Sequence, residues 1–312
     1  MSKCLLCYKS LEKDQQDFHP SCAKKLFGST QAPVIDFDLK ELDELAKQII
    51  IKSKAVTGVQ PKLSVNIDKQ KSLPPRLTIV GLHGDYILKP PSDQFKELPE
   101  NEDLTMHLAA LVNIKTAVHS LVRLKSGELA YITKRFDRNK GEKIAVEDFC
   151  QLSENLTEHK YRGSIEKIGK IIQAYTTNKG FEAQRLFELV LFCYLTGNAD
   201  MHLKNFSLLE NARGEFELAP AYDLINTTIV MPEDKEESAL TINGKKRKLN
   251  RNDFQVLATS LKISDKALDA VYKRFEAILP VWISWVKQSN LSKNSQKDYI
   301  LLLNDRHKKL FG

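Results

Sequence analysis

The stretch NADMHLKNFSLLENARGEFELAPAYDLINTT, residues 198–228, places Asp200, His202, Lys204, Asn205 and Asp223 just past the most apolar segment of the chain. Asp200 and Asn205 stand as D-x4-N, and a short hairpin separates them from Asp223. Two carboxylates and an amide oxygen brought to one spot suit Mg²⁺, which binds through one or two carboxylates together with substrate phosphates. Phosphoryl transfer calls for those parts, with a base near the acceptor hydroxyl and a lysine on the phosphates. The lysine is expected from YILKP, where Lys89 ends a strand, and Glu102 on the following helix is placed to pair with it. Lys204 is a second cation expected near the transferred phosphate. In AVTGVQPKL, residues 55–63, Gly58 lets the backbone approach a ligand and Lys62 adds charge. Singly, each has a plainer reading. An aspartate after a buried helix is a turn former, a lysine before two prolines is a surface residue, and His202 is a structural hydrogen-bonder rather than a base. The ordered set carries the expectation of a kinase.

A second cluster opens the chain. Residues 4–22, CLLCYKSLEKDQQDFHPSC, have the spacing C-x2-C-x11-H-x2-C. Close pairs of N/S ligands separated by a loop suit tetrahedral zinc, and four filled positions leave no room for a catalytic water. Cys4, Cys7, His19 and Cys22 are therefore expected to hold a structural Zn²⁺; the alternative is three unrelated thiols and a surface histidine. Cys150 and Cys193 lie in apolar surroundings and read as reduced core residues.

These groups need elements to hold them. LSVNID alternates, RLTIV is β-branched and DYILKP ends at a proline, giving three strands. A helix over 101–114 follows, with Met106, Ala109, Ala110 and Val112 or Ile114 on one face, then a hairpin around Ser126-Gly127. A helix over 39–52 follows Asp38 as cap, and residues 28–40 read as a linker. Beyond Asp148 the pattern is mostly helical. A Ser164-capped helix precedes FEAQRLFELVLFCYLTGN, which is apolar on nearly all sides and reads as a buried central helix. The expected class is α+β, divided into a Cys/His segment over 1–30, a β-rich lobe over 31–140 and a helical lobe over 141–312. The 312 residues carry a net charge of +7 that is spread along the chain, which argues against a nucleic-acid footprint. The run Lys245, Lys246, Arg247, Lys248 reads as a solvated loop. Residues 1–6 do not make a leader, and the longest apolar run, Leu189–Leu195, is too short to cross a bilayer. A soluble, cytoplasmic protein with no membrane contact is expected.

The motifs TGVQPKL, YILKP, NE at 101–102, KRFDR, EDFCQ, GNADMHLKNFSLL and PAYDLIN resemble the HipA-like toxin kinases, from about residue 50 to the C-terminus. The chain is most similar to the compact HipT kinases of HipBST systems. The resemblance implies a bilobal serine/threonine protein kinase fold, with a β-rich N-lobe and a mostly α-helical C-lobe. It implies Asp200 as catalytic base, Asn205 and Asp223 as Mg²⁺ ligands, and Lys89 on the ATP phosphates. It further implies that Thr57, Gly58, Val59, Gln60, Pro61 and Lys62 cover the phosphates. The backbone of Lys134, Arg135 and Phe136 would read adenine, and Asp137 would reach the ribose. His202, Leu203, Lys204 and Asn205 would line the catalytic loop, with Tyr222 beside Asp223. The implied substrate is an aminoacyl-tRNA synthetase, and the implied partners are HipS-like and HipB-like antitoxins, with DNA met only through the antitoxin. Where HipT kinases carry two autophosphorylated serines, this chain has Ala55 and Thr57, so Thr57 is the remaining candidate. A small-molecule or lipid kinase, or an inert kinase-like binding module, would fit the same residues.

Overall fold

The structure is a computed structural model that describes residues 2–42, 44–45, 61–69, 73–81, 84–139 and 142–312. The chain folds into two compact units, one of residues 1–103 and 117–141, the other of residues 104–116 and 142–312.

The first unit is built on a five-stranded antiparallel sheet. Its strands are β1 (Leu63–Asp68), β2 (Arg76–Ile79), β3 (Tyr86–Lys89), β4 (His119–Arg123) and β5 (Leu129–Lys134), in the order β2-β1-β3-β5-β4. Strand alternation sends Leu63 and Val65 into the core and leaves Ser64 and Asn66 half-buried. Val65 pairs with Ile79, Leu63 with Leu88 and Leu88 with Ile132, so the apolar faces align in register. The β4–β5 turn closes with Gly127 at φ 103°, as its Ser-Gly sequence implies. The N-terminal residues Leu5, Leu26 and Phe27 pack into the same core as Leu63, Leu88 and Ile132.

Residues 28–40 are not a free linker. Val34 bridges Arg76 in parallel, donating to Pro75 O at 2.7 Å and accepting from Leu77 at 2.9 Å, and Phe37 O accepts from Lys125 at 3.0 Å. Main-chain pairing of this kind leaves no mark on side-chain composition. Asp38 caps the helical residues that follow, in reciprocal bonds with Glu41 of 2.9 Å each. The later part of the helix expected over 39–52 lies outside the described residues.

The helix expected over 101–114 runs instead from Leu98 to Leu111. It stops where Asn113 turns left-handed at φ 65° and Ile114 N–H closes back on Ala109 O at 3.1 Å. Met106, Ala109 and Val112 are fully buried, whereas Ala110 is exposed, which shifts the expected apolar face.

In the second unit Ser164 caps the helix Ile165–Tyr175, and the helix Lys179–Thr196 is buried on nearly every side from Leu186 onward. Phe187 meets Phe254 edge-on at 6.4 Å and Phe192 meets Trp282 at 5.7 Å, fixing the C-terminal helices around it. Trp282 Nε1 donates to Leu108 O at 2.9 Å. A small antiparallel sheet of Val146–Asp148, Ser207–Glu210 and Phe216–Leu218 includes the expected hairpin. No helix among the described residues is long and apolar enough to cross a membrane.

Candidate active site

The helix Lys179–Thr196 ends at Gly197, left-handed at φ 72°. A side chain there would put its Cβ 2.4 Å from Leu302 Cδ2, 2.8 Å from Asn226 Oδ1 and 2.9 Å from Thr228 Oγ1, so only glycine fits. Threonines from the segment just after Asp223 hold the loop that follows. The Thr227 hydroxyl accepts from Ala199 N–H at 2.9 Å and donates to Gly197 O at 3.1 Å, and the Thr228 hydroxyl also donates to Gly197 O at 3.1 Å. Buried Asn198 accepts the Asp200 N–H through Oδ1 at 3.1 Å. The loop bearing Asp200 and the segment bearing Asp223 are thereby stitched together.

Asn205 donates through Nδ2 to Asp200 O at 3.0 Å, which fixes its amide plane beside the aspartate. Asp223 itself sits at φ 55°, a left-handed conformation that aspartate tolerates better than most residues. Burial pulls the His202 imidazole below its ordinary value, and the nearby Asp200 and Asp223 carboxylates oppose that shift without cancelling it. His202 Nδ1 has no hydrogen-bond partner among the described residues, so the expected structural role is not one of side-chain bonding through that atom.

Lys204 does not stand free for a phosphate. Its ammonium lies 2.9 Å from Asp148 Oδ2, and Asp148 also forms a capping box with Gln151. Tyr222 donates to Lys204 O at 2.9 Å and shares a 2.6 Å hydrogen bond with Ser207 Oγ. Leu203 is buried, its N–H donating to Lys160 O at 3.0 Å. Sequence reasoning missed Tyr161, whose hydroxyl donates to Asp200 Oδ1 at 2.7 Å while its ring meets His202 edge-on at 5.0 Å. Burial and the Asp200 carboxylate both push the Tyr161 phenol up. Nothing in the surrounding HKYRG marks this tyrosine.

In the first unit Lys89 Nζ lies 2.5 Å from Glu102 Oε1, both residues buried, with the ammonium 5.2 Å from the centre of the Tyr131 ring. The pairing expected from the sequence is present. Asp137 is clamped by Arg135, at 2.8 and 2.6 Å, and by Arg138 at 2.7 Å. Burial pushes its carboxyl up, but the Arg135 bonds outweigh that and hold it below the usual carboxylate range. Lys134 N–H is taken by Val118 O at 2.7 Å and Arg135 N–H by Asp85 O at 2.8 Å, so neither amide is spare for adenine; half-buried Phe136 follows them. Pro61 and Lys62 lead into β1, Lys62 exposed, while Thr57, Gly58, Val59 and Gln60 lie outside the described residues. Cys4, Cys7, His19 and Cys22 bring their ligand atoms within 4.8 Å of one another.

Residues 54–282, well over half of the chain, match the family model of the HipA-like C-terminal domain. The chain belongs to that family. Among curated relatives, Y4dM of Sinorhizobium fredii, named as a candidate kinase, is 31% identical over 73% of this chain and 59% of its own. The serine/threonine-protein kinase toxin HipA of Shewanella oneidensis is 29% identical over 59% of this chain and 45% of its own. The chain thus spans about half the length of these curated relatives. Its fold is similar to HipA in the Shewanella oneidensis complex of HipA, HipB and operator DNA, with a TM-score of 0.68 at 20% identity over 97% of this chain and 74% of the other. It is also similar to the Helicobacter pylori proinflammatory kinase CtkA, with a TM-score of 0.54 at 16% identity over 78% and 93% of the two chains. The expected α+β kinase-like fold, β-rich first and mostly helical after, is therefore the fold of this HipA-like chain.

Proposed function

We propose that this HipA-like chain is an ATP-dependent serine/threonine protein kinase acting as a toxin. The observation that carries the reading is the stitching of the Asp200–Asn205 loop to the Asp223 segment through Thr227 and Thr228. Two carboxylates and an amide, all hard oxygen donors, fit Mg²⁺. When bound, the ion supplies charge neutralisation at the phosphate oxygens. Asn205 and Asp223 are its proposed holders. Asp200 takes the proton of the acceptor hydroxyl on one carboxylate oxygen, while Tyr161 fixes the other. Lys89, held in place by Glu102, is the proposed ligand of the ATP phosphates. A hydroxyl acceptor needs modest help from a base, so positioning and charge account for most of the rate.

Likeness to the Shewanella oneidensis serine/threonine-protein kinase toxin supports a protein acceptor and toxin action, and growth arrest rests on the resemblance of the motifs alone. Its complex with HipB and operator DNA supports a HipB-like partner here, with DNA met through that partner. An aminoacyl-tRNA synthetase as target, and a HipS-like partner as in HipBST systems, rest on the resemblance of the motifs alone. Self-phosphorylation is assigned to Thr57 on the same ground. A phosphate there adds roughly −1.5 to −2 charge near the ATP phosphates and disfavours the closed loop.

Labelled γ-phosphate transfer tests the reading. Purified chain is expected to label a protein acceptor, and Asp200→Ala to abolish labelling while the chain stays folded at the assay temperature. Label moving to choline, sugars or lipids but not to protein would replace this reading with that of a small-molecule kinase. Absence of nucleotide binding by calorimetry would leave an inert binding module. Comparing the phosphoproteins of cells expressing the chain and its Asp200→Ala form identifies the target.

A further inference from the structure

We infer that Cys4, Cys7, His19 and Cys22 bind one structural zinc ion, and that this site braces the helix bearing Glu102. The ligands come from two small elements. Lys3 bridges Ser10 antiparallel, and the tip between them is a tight turn in which Tyr8 N–H donates to Cys4 O and Cys4 N–H to Lys9 O, each at 2.9 Å. This turn presents Cys4 and Cys7, and Tyr8 accommodates it with a left-handed φ of 61°. His19 then stands at the N-cap position of the helix Pro20–Phe27 and Cys22 lies in its first turn, so the i, i+3 pair shares one face.

The spacings fit a tetrahedron. Zn–S bonds of about 2.3 Å and Zn–N of about 2.0–2.1 Å require S···S edges of roughly 3.8 Å and S···N edges of roughly 3.6 Å. His19 Nδ1 lies 3.4 Å from Cys7 Sγ and 3.9 Å from Cys22 Sγ, and all four ligand atoms fall within 4.8 Å of one another. His19 Nε2 lies 3.0 Å from Ser10 O. That carbonyl can only accept, so it selects the tautomer with the proton on Nε2 and turns the Nδ1 lone pair toward the thiols, as at metal-bound histidines. Cys4 is fully buried and the other three are partly so, a closed set with no position for substrate. Three thiolates and a neutral imidazole around Zn²⁺ leave a net charge of −1, the thiol protons passing to solvent on binding.

The knuckle is joined to the unit that carries Lys89. Leu5 N–H donates to Asp17 O at 2.8 Å, the Tyr86 hydroxyl to Leu26 O at 2.9 Å, and Phe18 meets Phe27 edge-on at 5.4 Å. Tyr8, next to the ligand Cys7, is buried and donates to Asp103 Oδ2 at 2.5 Å. Asp103 directly follows Glu102, the partner of Lys89. Metal at the knuckle therefore fixes Tyr8, and Tyr8 fixes the turn of helix that presents Glu102.

Elemental analysis of the full chain purified without added metal is expected to give one zinc per chain. Replacement by Co²⁺ is expected to give intense visible bands of a tetrahedral site and sulfur-to-cobalt charge transfer. Cys22→Ser is expected to lose the metal. Should that variant misfold, thiol modification of the wild-type chain replaces it, releasing zinc to a chromogenic chelator in step with the modified cysteines. Tyr8→Phe is expected to keep its zinc yet melt several degrees lower and bind nucleotide several-fold more weakly. A native chain without stoichiometric zinc, or whose three N-terminal thiols all react at once with no metal released, overturns the site. Tyr8→Phe with unaltered melting and nucleotide binding overturns the brace. Neither metal readout depends on kinase activity, so failure of the proposed reaction leaves them standing.

Discussion

Tyr161 donates a 2.7 Å hydrogen bond to Oδ1 of Asp200 across 39 residues of sequence. With Asp200 as the proposed base, the carboxylate oxygen not bonded to Tyr161 is the one oriented for the acceptor hydroxyl. Hydrogen bonds to charged groups are worth about 1.5–3 kcal/mol, and partial exposure of Tyr161 places this one at the low end. Tyr161→Phe is expected to lower the rate of phosphate transfer by about tenfold, since 1.4 kcal/mol is a factor of ten. The ring contact with His202 survives, so melting should fall by only the few degrees that loss of this one bond implies. Steady-state kinetics check this; an unchanged kcat would take Tyr161 out of the site.

The Lys89–Glu102 pair is almost wholly removed from water. Deleting one partner strands the other as a buried charge, at a cost of about 3–5 kcal/mol. Glu102→Leu and Lys89→Met should each destabilise the chain by that order, whereas the double variant should recover most of the loss. Urea unfolding of the four proteins measures the coupling. If the two single effects simply add, the pair is not coupled as its geometry requires. Nucleotide binding, read by calorimetry, should be weak in all three variants, because none keeps a held lysine.

At Gly197 both the left-handed backbone and the close approach of Leu302, Asn226 and Thr228 forbid a Cβ. Gly197→Ala adds roughly 1–2 kcal/mol of left-handed strain and about 1–3 kcal/mol of overpacking. Its carbonyl also receives both threonine hydroxyls, so the Asp200 loop should loosen from the Asp223 segment. The expected result is a lower melting temperature with loss of transfer activity beyond what unfolding explains. Thermal melts alongside activity at 20 °C below the transition separate the two effects.

Much of this architecture is legible in the sequence because it is periodic or local. The alternation of LSVNID, the Ser164 cap and the glycine stop after the buried helix each depend on a few neighbouring residues. Lys89 and Glu102 could be paired on paper because a strand end and a following helix bring them within 13 positions. The Cys/His spacing is local in the same way. Contacts between loops are different. Tyr161 with Asp200, and Lys204 with Asp148 over 56 positions, join segments that have no period to read. The pairing of Val34 with Arg76 uses backbone groups, which every residue carries. Lys204 meets Asp148, and Asp137 meets Arg135 and Arg138, in ion pairs that residue type alone does not announce.

Half-buried Glu100 and buried His119, both in the first unit, give opposed pH dependences. Burial pushes the Glu100 carboxyl up from an ordinary 4.5 to about 7, and the negative charge of Glu97 adds to the shift. Burial pulls the His119 imidazole down from 6.5 to about 4. Glu100 is neutral in both states below pH 4.5, so it costs nothing there; stability falls as pH rises toward 7, where the folded chain must bury its charge. His119 acts the other way: its contribution is intact above pH 6.5 and is lost as pH falls toward 4. Over pH 4.5–6.5 the two slopes offset each other. Glu100→Gln removes one of them. Its stability is expected to rise with pH across that window, as the His119 effect is unmasked. At pH 8 it should exceed the wild-type value by on the order of 2 kcal/mol, taking 1.36 kcal/mol per pH unit and allowing for partial exposure. Denaturant unfolding at a series of pH values tests this, and a variant less stable than the wild type at pH 8 would show that Glu100 is held ionised by a partner rather than penalised by burial.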